Sequence, residues 1–284
     1  MIGNNNINLE DLIAHYQQND LFYQYIPKKI ENHIYKKMEL PLDTNIIAFL
    51  RFFFKNGVCL TNNGIYWSIV GQGKGFFSWN QLKNINEIKL EKGILYLDKE
   101  KTFNISGTSY PYDLFIELIK DIQKLAIENQ NFNSNRTIQQ IDPHMINTIK
   151  EICKTFSTYN EDCSICKVMN ISLMTTENIS KKLEKALKEK NNMEEDEQLV
   201  AYLNTYMGVG TDGIILTENG VFFSEKFLFL YYPWHVFKTL SLSLNKDTKE
   251  LTIGKNNILH LACSITNGED VLLFLHQLQR QLSH

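Results

Sequence analysis

Three short phrases occur twice in this chain, in the same order and at nearly the same separation. IIAFL at residues 46–50 returns as LVAYL at 199–203, LTNNGIYW at 60–67 as LTENGVFF at 216–223, and FFSW at 76–79 as YYPW at 231–234. Ile46 and Leu199 are 153 positions apart, Leu60 and Leu216 are 156, and Trp79 and Trp234 are 155. A register held this closely over most of a unit marks a duplicated domain, with short insertions falling between the matches. At 284 residues the chain is long for one hydrophobic core and comfortable for two.

Each copy reads as short strands followed by a helix. Asn63-Gly64 and Asn219-Gly220 stand between apolar, β-branched and aromatic runs. Asn-Gly in that setting predicts a β-hairpin whose turn uses positive φ. Further strands are expected at 75–79, 85–90, 94–97 and 102–105 in the first copy. Their counterparts are 227–231, 236–244, 250–253 and 258–261 in the second. Each copy then closes on an amphipathic helix, one carrying Leu114, Leu118, Ile122 and Leu125, the other Val271, Leu275, Leu278 and Leu282.

The expected fold class is α+β: two repeated small antiparallel β-barrel or sandwich domains, each closed by a C-terminal helix and joined by a helical connector. The domains are 1–42, an N-terminal helical segment; 43–130, the first repeat; 131–192, the connector; and 193–284, the second repeat. Residues 30–38 stand ahead of IIAFL much as 183–190 stand ahead of LVAYL, so the repeating unit extends to helix, barrel, helix.

The order of these parts resembles the bacterial pleckstrin-homology-like and GRAM-like domains, twice over, at about 43–125 and 193–284. The parts are an apolar strand, LTNNGIYW, a polar loop, an aromatic pair before Ser78-Trp79, more short strands and one C-terminal helix. That resemblance implies a partly open seven-stranded barrel capped by a helix, used to bind proteins or lipids and seldom for catalysis. Two departures stand out, Pro233 in place of Ser78 and the absence from the second copy of the Gly-rich loop of the first.

Composition excludes several classes. The 43% apolar and 21% charged residues are those of a folded chain, and no apolar run approaches the roughly 20 residues of a membrane helix. The polar start predicts no export signal, and five scattered cysteines predict reduced thiols in a cytoplasm. A net charge of -3 supplies no field for nucleic acid. Locally the copies differ: ten Lys and Arg against eight Asp and Glu over 43–125, and six against eleven over 193–284.

Candidate chemistry is sparse. His144, Cys153, Cys163 and Cys166 contain one CxxC pair and two further soft ligands, the minimum for tetrahedral zinc, but lack a second close pair; no metal is expected. GQGKG at 71–75 invites a phosphate-loop reading, yet a strand pattern follows it where such a loop needs a helix, so a hairpin loop is expected. His260 on a strand and His276 on a helix belong to no catalytic motif, and no catalytic residue or cofactor is assigned. Trp67, Trp79 and Trp234 read as core, and the helix SKKLEKALKEK at 180–190 as a solvated face with internal ion pairs. For inositol phosphates the equivalent loops offer Lys55 and Lys74 in the first copy and Lys226, opposed by Asp212 and Glu225, in the second.

The expectation is therefore a non-enzymatic interaction protein whose two modules bind protein partners. An anionic-lipid binder of the same fold is one alternative, and an enzyme whose site assembles only in space is another.

Overall fold

The structure is a computed structural model. It describes all residues except 1–7, 19–20, 24, 27, 42–43, 53–55, 99, 129–142, 158–172, 177–178, 206–209, 227, 262–266 and 284. The chain is α+β and divides into two compact units, Met1–Thr137 and Ile138–His284. That division falls inside the expected connector of 131–192 and assigns its described elements to the second unit.

In the first unit α1 (Leu9–Ala14), β1 (Leu21–Tyr23) and α2 (Lys28–Met38) precede β2 (Ile46–Arg51), β3 (Gly57–Thr61), β4 (Gly64–Ile69) and β5 (Gly73–Ser78). A short helix α3 (Trp79–Lys83) leads to β6 (Ile88–Glu91), β7 (Ile94–Leu97), β8 (Glu100–Asn104) and α4 (Tyr112–Glu128). The second unit repeats this order. It runs α5 (Pro143–Ser157), β9 (Leu173–Thr175), α6 (Lys181–Lys190), β10 (Leu199–Asn204), β11 (Gly213–Thr217), β12 (Gly220–Ser224) and β13 (Phe229–Pro233). It ends with α7 (Trp234–Phe237), β14 (Leu242–Asn245), β15 (Glu250–Ile253), β16 (Asn257–His260) and α8 (Gly268–Gln281).

Each unit holds a five-stranded and a three-stranded antiparallel sheet, in the orders β1-β2-β3-β4-β5 with β6-β7-β8, and β9-β10-β11-β12-β13 with β14-β15-β16. One irregularity recurs as well, since the ladder slips at Ile46/Ala48 and again at Leu199/Ala201. Period-2 alternation sends neighbouring rows to opposite faces. Phe49, Cys59 and Tyr66, which stand in register, meet Ile34, Met38 and Leu40 from α2 and its exit. In the next row Trp67 faces Phe103 of β8 at 5.0 Å, and Phe103 meets Phe115 of α4 edge-on at 6.2 Å. The five-stranded sheet is therefore covered on both faces.

Among the described residues no ladder joins the two sheets of a unit, so the barrel is not closed by strand pairing. The chain leaves the larger sheet through α3 or α7, which separates β5 from β6 and β13 from β14. Residues 236–244 were expected as one strand, but Val236 and Phe237 lie in α7 and the strand begins at Leu242. Their burial, with Leu240, follows a helical turn rather than alternation.

The Asn-Gly hairpins are in place, but for another reason. None of Asn63, Gly64, Asn219 and Gly220 has positive φ. The turn is held by a hydroxyl: Thr61 Oγ1 accepts from the backbone N–H of Asn63 at 3.3 Å and Gly64 at 3.1 Å, and Thr217 Oγ1 does the same for Asn219 and Gly220 at 3.2 Å. Glycine is needed because the next strand passes close by. A Cβ at Gly64 would lie 2.4 Å from the Phe77 carbonyl oxygen, and one at Gly220 would lie 2.3 Å from that of Tyr232.

Candidate functional site

The two copies differ most at the last strand of the larger sheet. No residue of β5 is buried, whereas four of the five in β13 are. Tyr66 and Phe76 stack with centroids 4.3 Å apart, as Phe222 and Tyr231 do at 4.6 Å. Yet Phe76 is 42% exposed and Tyr231 only 3%. Glycine thins β5 further: a Cβ on Gly75 would sit 2.0 Å from Trp67 Cζ2, so the indole fills the place of a side chain that Leu230 supplies in the second copy.

The polar edge of β5 follows from the ladder. Trp79 N–H donates to the Asn63 carbonyl at 3.2 Å, and alternation then turns the backbone groups of Gly73, Gly75 and Phe77 toward β4. Those of Lys74, Phe76 and Ser78 turn outward, where β5 is the end of the sheet. Ser78 N–H is taken up by Gln81 Oε1 at 2.9 Å in a capping box at the start of α3. The sequence carries the Ser-x-x-Gln spacing of that box, and it ends the strand expected over 75–79 at Ser78. Lys74 pairs with Glu39 at 2.5 Å, and this ammonium holds the Glu39 carboxyl below its usual range.

The loop before β5 performs a second task. Gln72 Oε1 accepts from Asn104 N–H at 2.7 Å and Gln72 Nε2 donates to Asn104 O at 3.4 Å, so one amide side chain ties the larger sheet to the end of β8. In the second unit Glu225 Oε2 accepts from the N–H of His260, the last residue of β16, at 3.2 Å, and lies 3.2 Å from His260 Nδ1. His260 Nε2 is 3.6 Å from Glu250. These clasps occupy the corner left without a strand ladder. Nothing local in the sequence pairs Gln72 with Asn104, 32 residues away.

A shallow groove of about 360 Å³ lies between β6 and α4, lined among others by Lys89, Glu91, Tyr112, Asp113 and Lys120. It is open to solvent and mixes both charges, and Lys89 is paired with Glu87 at 2.8 Å.

The remaining sequence candidates disperse. His144 and Cys153 both lie on α5, where nine residues separate them by about 13.5 Å along the axis and half a turn in azimuth. Tetrahedral zinc holds its donor atoms roughly 3.5 Å from one another, so the two cannot share an ion while α5 is continuous. Burial pushes the Cys153 thiol up to about 12. Cys163 and Cys166 lie outside the described residues, as does Lys55. Of GQGKG only Gly71 and Gln72 lie in the β4–β5 turn, while Gly73, Lys74 and Gly75 already belong to β5, with Gly71 and Gly73 at φ 76° and 84°. On α6 the ion pairs Lys188–Glu184 at 3.0 Å and Lys185–Glu189 at 3.7 Å form as the spacing predicts. Asp212 is held by Lys190. No described helix is long and apolar enough to cross a membrane.

Comparison of the chain with models of protein families, with curated proteins and with solved structures gave no match.

Proposed function

We propose that this chain is a non-enzymatic interaction protein, two pleckstrin-homology-like modules in tandem that bind protein partners in the cytoplasm. The arrangement supports the modular reading. In each unit four successive strands form one meander, three more form a second, and a C-terminal helix packs on the smaller sheet. One observation carries the binding role: contacts inside the modules are duplicated, whereas the exposed edge is not. The Trp79 and Trp234 indoles donate to the Thr61 and Thr217 carbonyls at 3.0 and 3.1 Å, yet the matched aromatics Phe76 and Tyr231 differ from 42% to 3% exposed. A retained scaffold with a divergent surface is what specialised binding requires, because function resides in sites placed on the fold.

The test is affinity capture with the full chain from its native host, repeated with Phe76→Glu and then with purified components. A stoichiometric protein partner that the variant retains poorly supports the proposal. Reproducible turnover in hydrolase or nucleotide screens, abolished by Lys120→Ala in the groove, would replace it with an enzyme.

A further inference from the structure

We propose that the free edge of β5 pairs with the same strand of a second copy of this chain, antiparallel and centred on Phe76, merging two five-stranded sheets into one. This names a partner for the binding surface, and it rests on the interaction reading only in taking β5 as the bound edge.

The edge lacks most of the features that keep strands apart. Exposed edges are normally short, interrupted by proline or a bulge, covered, or charged. β5 runs six residues without proline, and none of its residues is buried. Its counterpart β13 ends in Pro233 and has four of five residues buried. The one charge on β5, Lys74, is already held by Glu39 at 2.5 Å.

Self-pairing is favoured over a foreign strand because the sequence complements itself in one register. Antiparallel pairing requires partners that point to the same face and whose hydrogen-bonding groups point to the same edge. On β5 the outward groups belong to Lys74, Phe76 and Ser78, the Ser78 N–H being already taken by Gln81; a two-fold axis at Phe76 lets the chains exchange both Phe76 bonds. Lys74 then lies opposite Ser78 of the second copy, so no like charges meet. Gly75 lies opposite Phe77 of the second copy, whose ring covers the glycine beside Trp67, an aromatic over an edge glycine. On the other face Phe76 meets Phe76 of the second copy beside the Tyr66 stack. Only with the axis at Phe76 does the Phe77 ring stand opposite Gly75.

Two full-length variants test the pairing by sedimentation equilibrium. Phe76→Pro removes the outward N–H and no bond to β4, a position at which edge strands tolerate proline. Phe76→Arg keeps the backbone and brings two like charges together at the axis. The wild-type chain is expected to dimerise in the micromolar range, and each variant to weaken this roughly tenfold or more with unchanged circular dichroism and thermal midpoint. If Phe76→Pro perturbs the fold, Phe76→Arg alone decides. A wild-type chain monomeric at about 200 µM, well above micromolar dissociation constants, overturns the proposal, as does dimerisation that both variants leave intact. A monomer that still binds another protein through Phe76 would end self-pairing and leave the interaction reading standing.

Discussion

Thr61 and Thr217 show how much one hydroxyl can organise. Both are fully buried, each accepts two backbone N–H groups at its turn, and each donates to the glycine carbonyl, at 2.8 Å for Gly64 and 3.2 Å for Gly220. The Trp79 and Trp234 indoles close on the carbonyls of the same threonines. Valine matches threonine in shape but leaves the Gly64 or Gly220 N–H unsatisfied in the interior. Thr61→Val and Thr217→Val are each expected to destabilise their unit by about 1–3 kcal/mol in urea unfolding. A neutral result would mean that these turns do not depend on the hydroxyl.

At the scale of elements, the closing helices do more than bury an apolar stripe. Gln123 Nε2 donates to the carbonyl of Leu82, in the last turn of α3, at 3.0 Å and to that of Ile85, just past the helix, at 2.6 Å. Gln279 repeats this on Phe237, the last residue of α7, at 2.8 Å and on Leu240, past the helix, at 2.7 Å. The last carbonyls of any helix need partners from outside it, and here they come from one amide on a distant helix. Lys37 likewise reaches Asn56 as Lys190 reaches Asp212. Gln279→Ala should lower stability by about 1–2 kcal/mol and speed hydrogen exchange at α7 before the rest of the unit. Exchange that rises uniformly across the unit would deny the helix-end role. The stripe itself was only partly legible, since Phe115, Ile119 and Ala126 are buried where Leu125 is half-exposed.

At the scale of the molecule, burial shifts the titration of two thiols and three phenols in the same direction. Desolvation raises Cys59 and Cys153 above the ordinary 9.0, Cys153 to about 12, and raises Tyr232, Tyr202 and Tyr16 above 10.0. Asp212 adds to the effect at Tyr202 and Asp121 at Tyr16. The folded chain keeps these protons where the unfolded chain releases them, so their contribution is complete below about pH 9 and falls as pH rises through the thiol and then the phenol range. Urea midpoints should stay level from about pH 7 to about pH 8.5 and decline above it; a midpoint rising with pH in that range would contradict the assignment. Phosphoinositide selectivity is not expected. Each basic residue near an anionic surface contributes about 1 kcal/mol against the roughly 8 kcal/mol of micromolar binding, and Lys74 is already paired with Glu39. Liposome co-sedimentation should be indifferent to phosphoinositide; selective micromolar binding lost in Lys74→Ala would reverse this.

The sequence by itself determined what is periodic or local: the duplication, the hairpins after Thr61 and Thr217, the strands Ile94–Leu97 and Glu250–Ile253, and the closing helices. Alternation and helical spacing report the geometry of a few consecutive residues, and a repeat reports it twice. Tertiary structure alone decided the rest. The three residues of β1 or β9 carry no readable pattern and become strands only because β2 or β10 receives them. Residues 236–237 are helical because Val236 and Phe237 turn inward together. Gln72 meets Asn104, and Phe76 stays exposed while Tyr231 does not, because distant surfaces either reach these residues or fail to. Which surfaces meet is settled by packing between elements far apart in the chain, and no window of sequence contains that information.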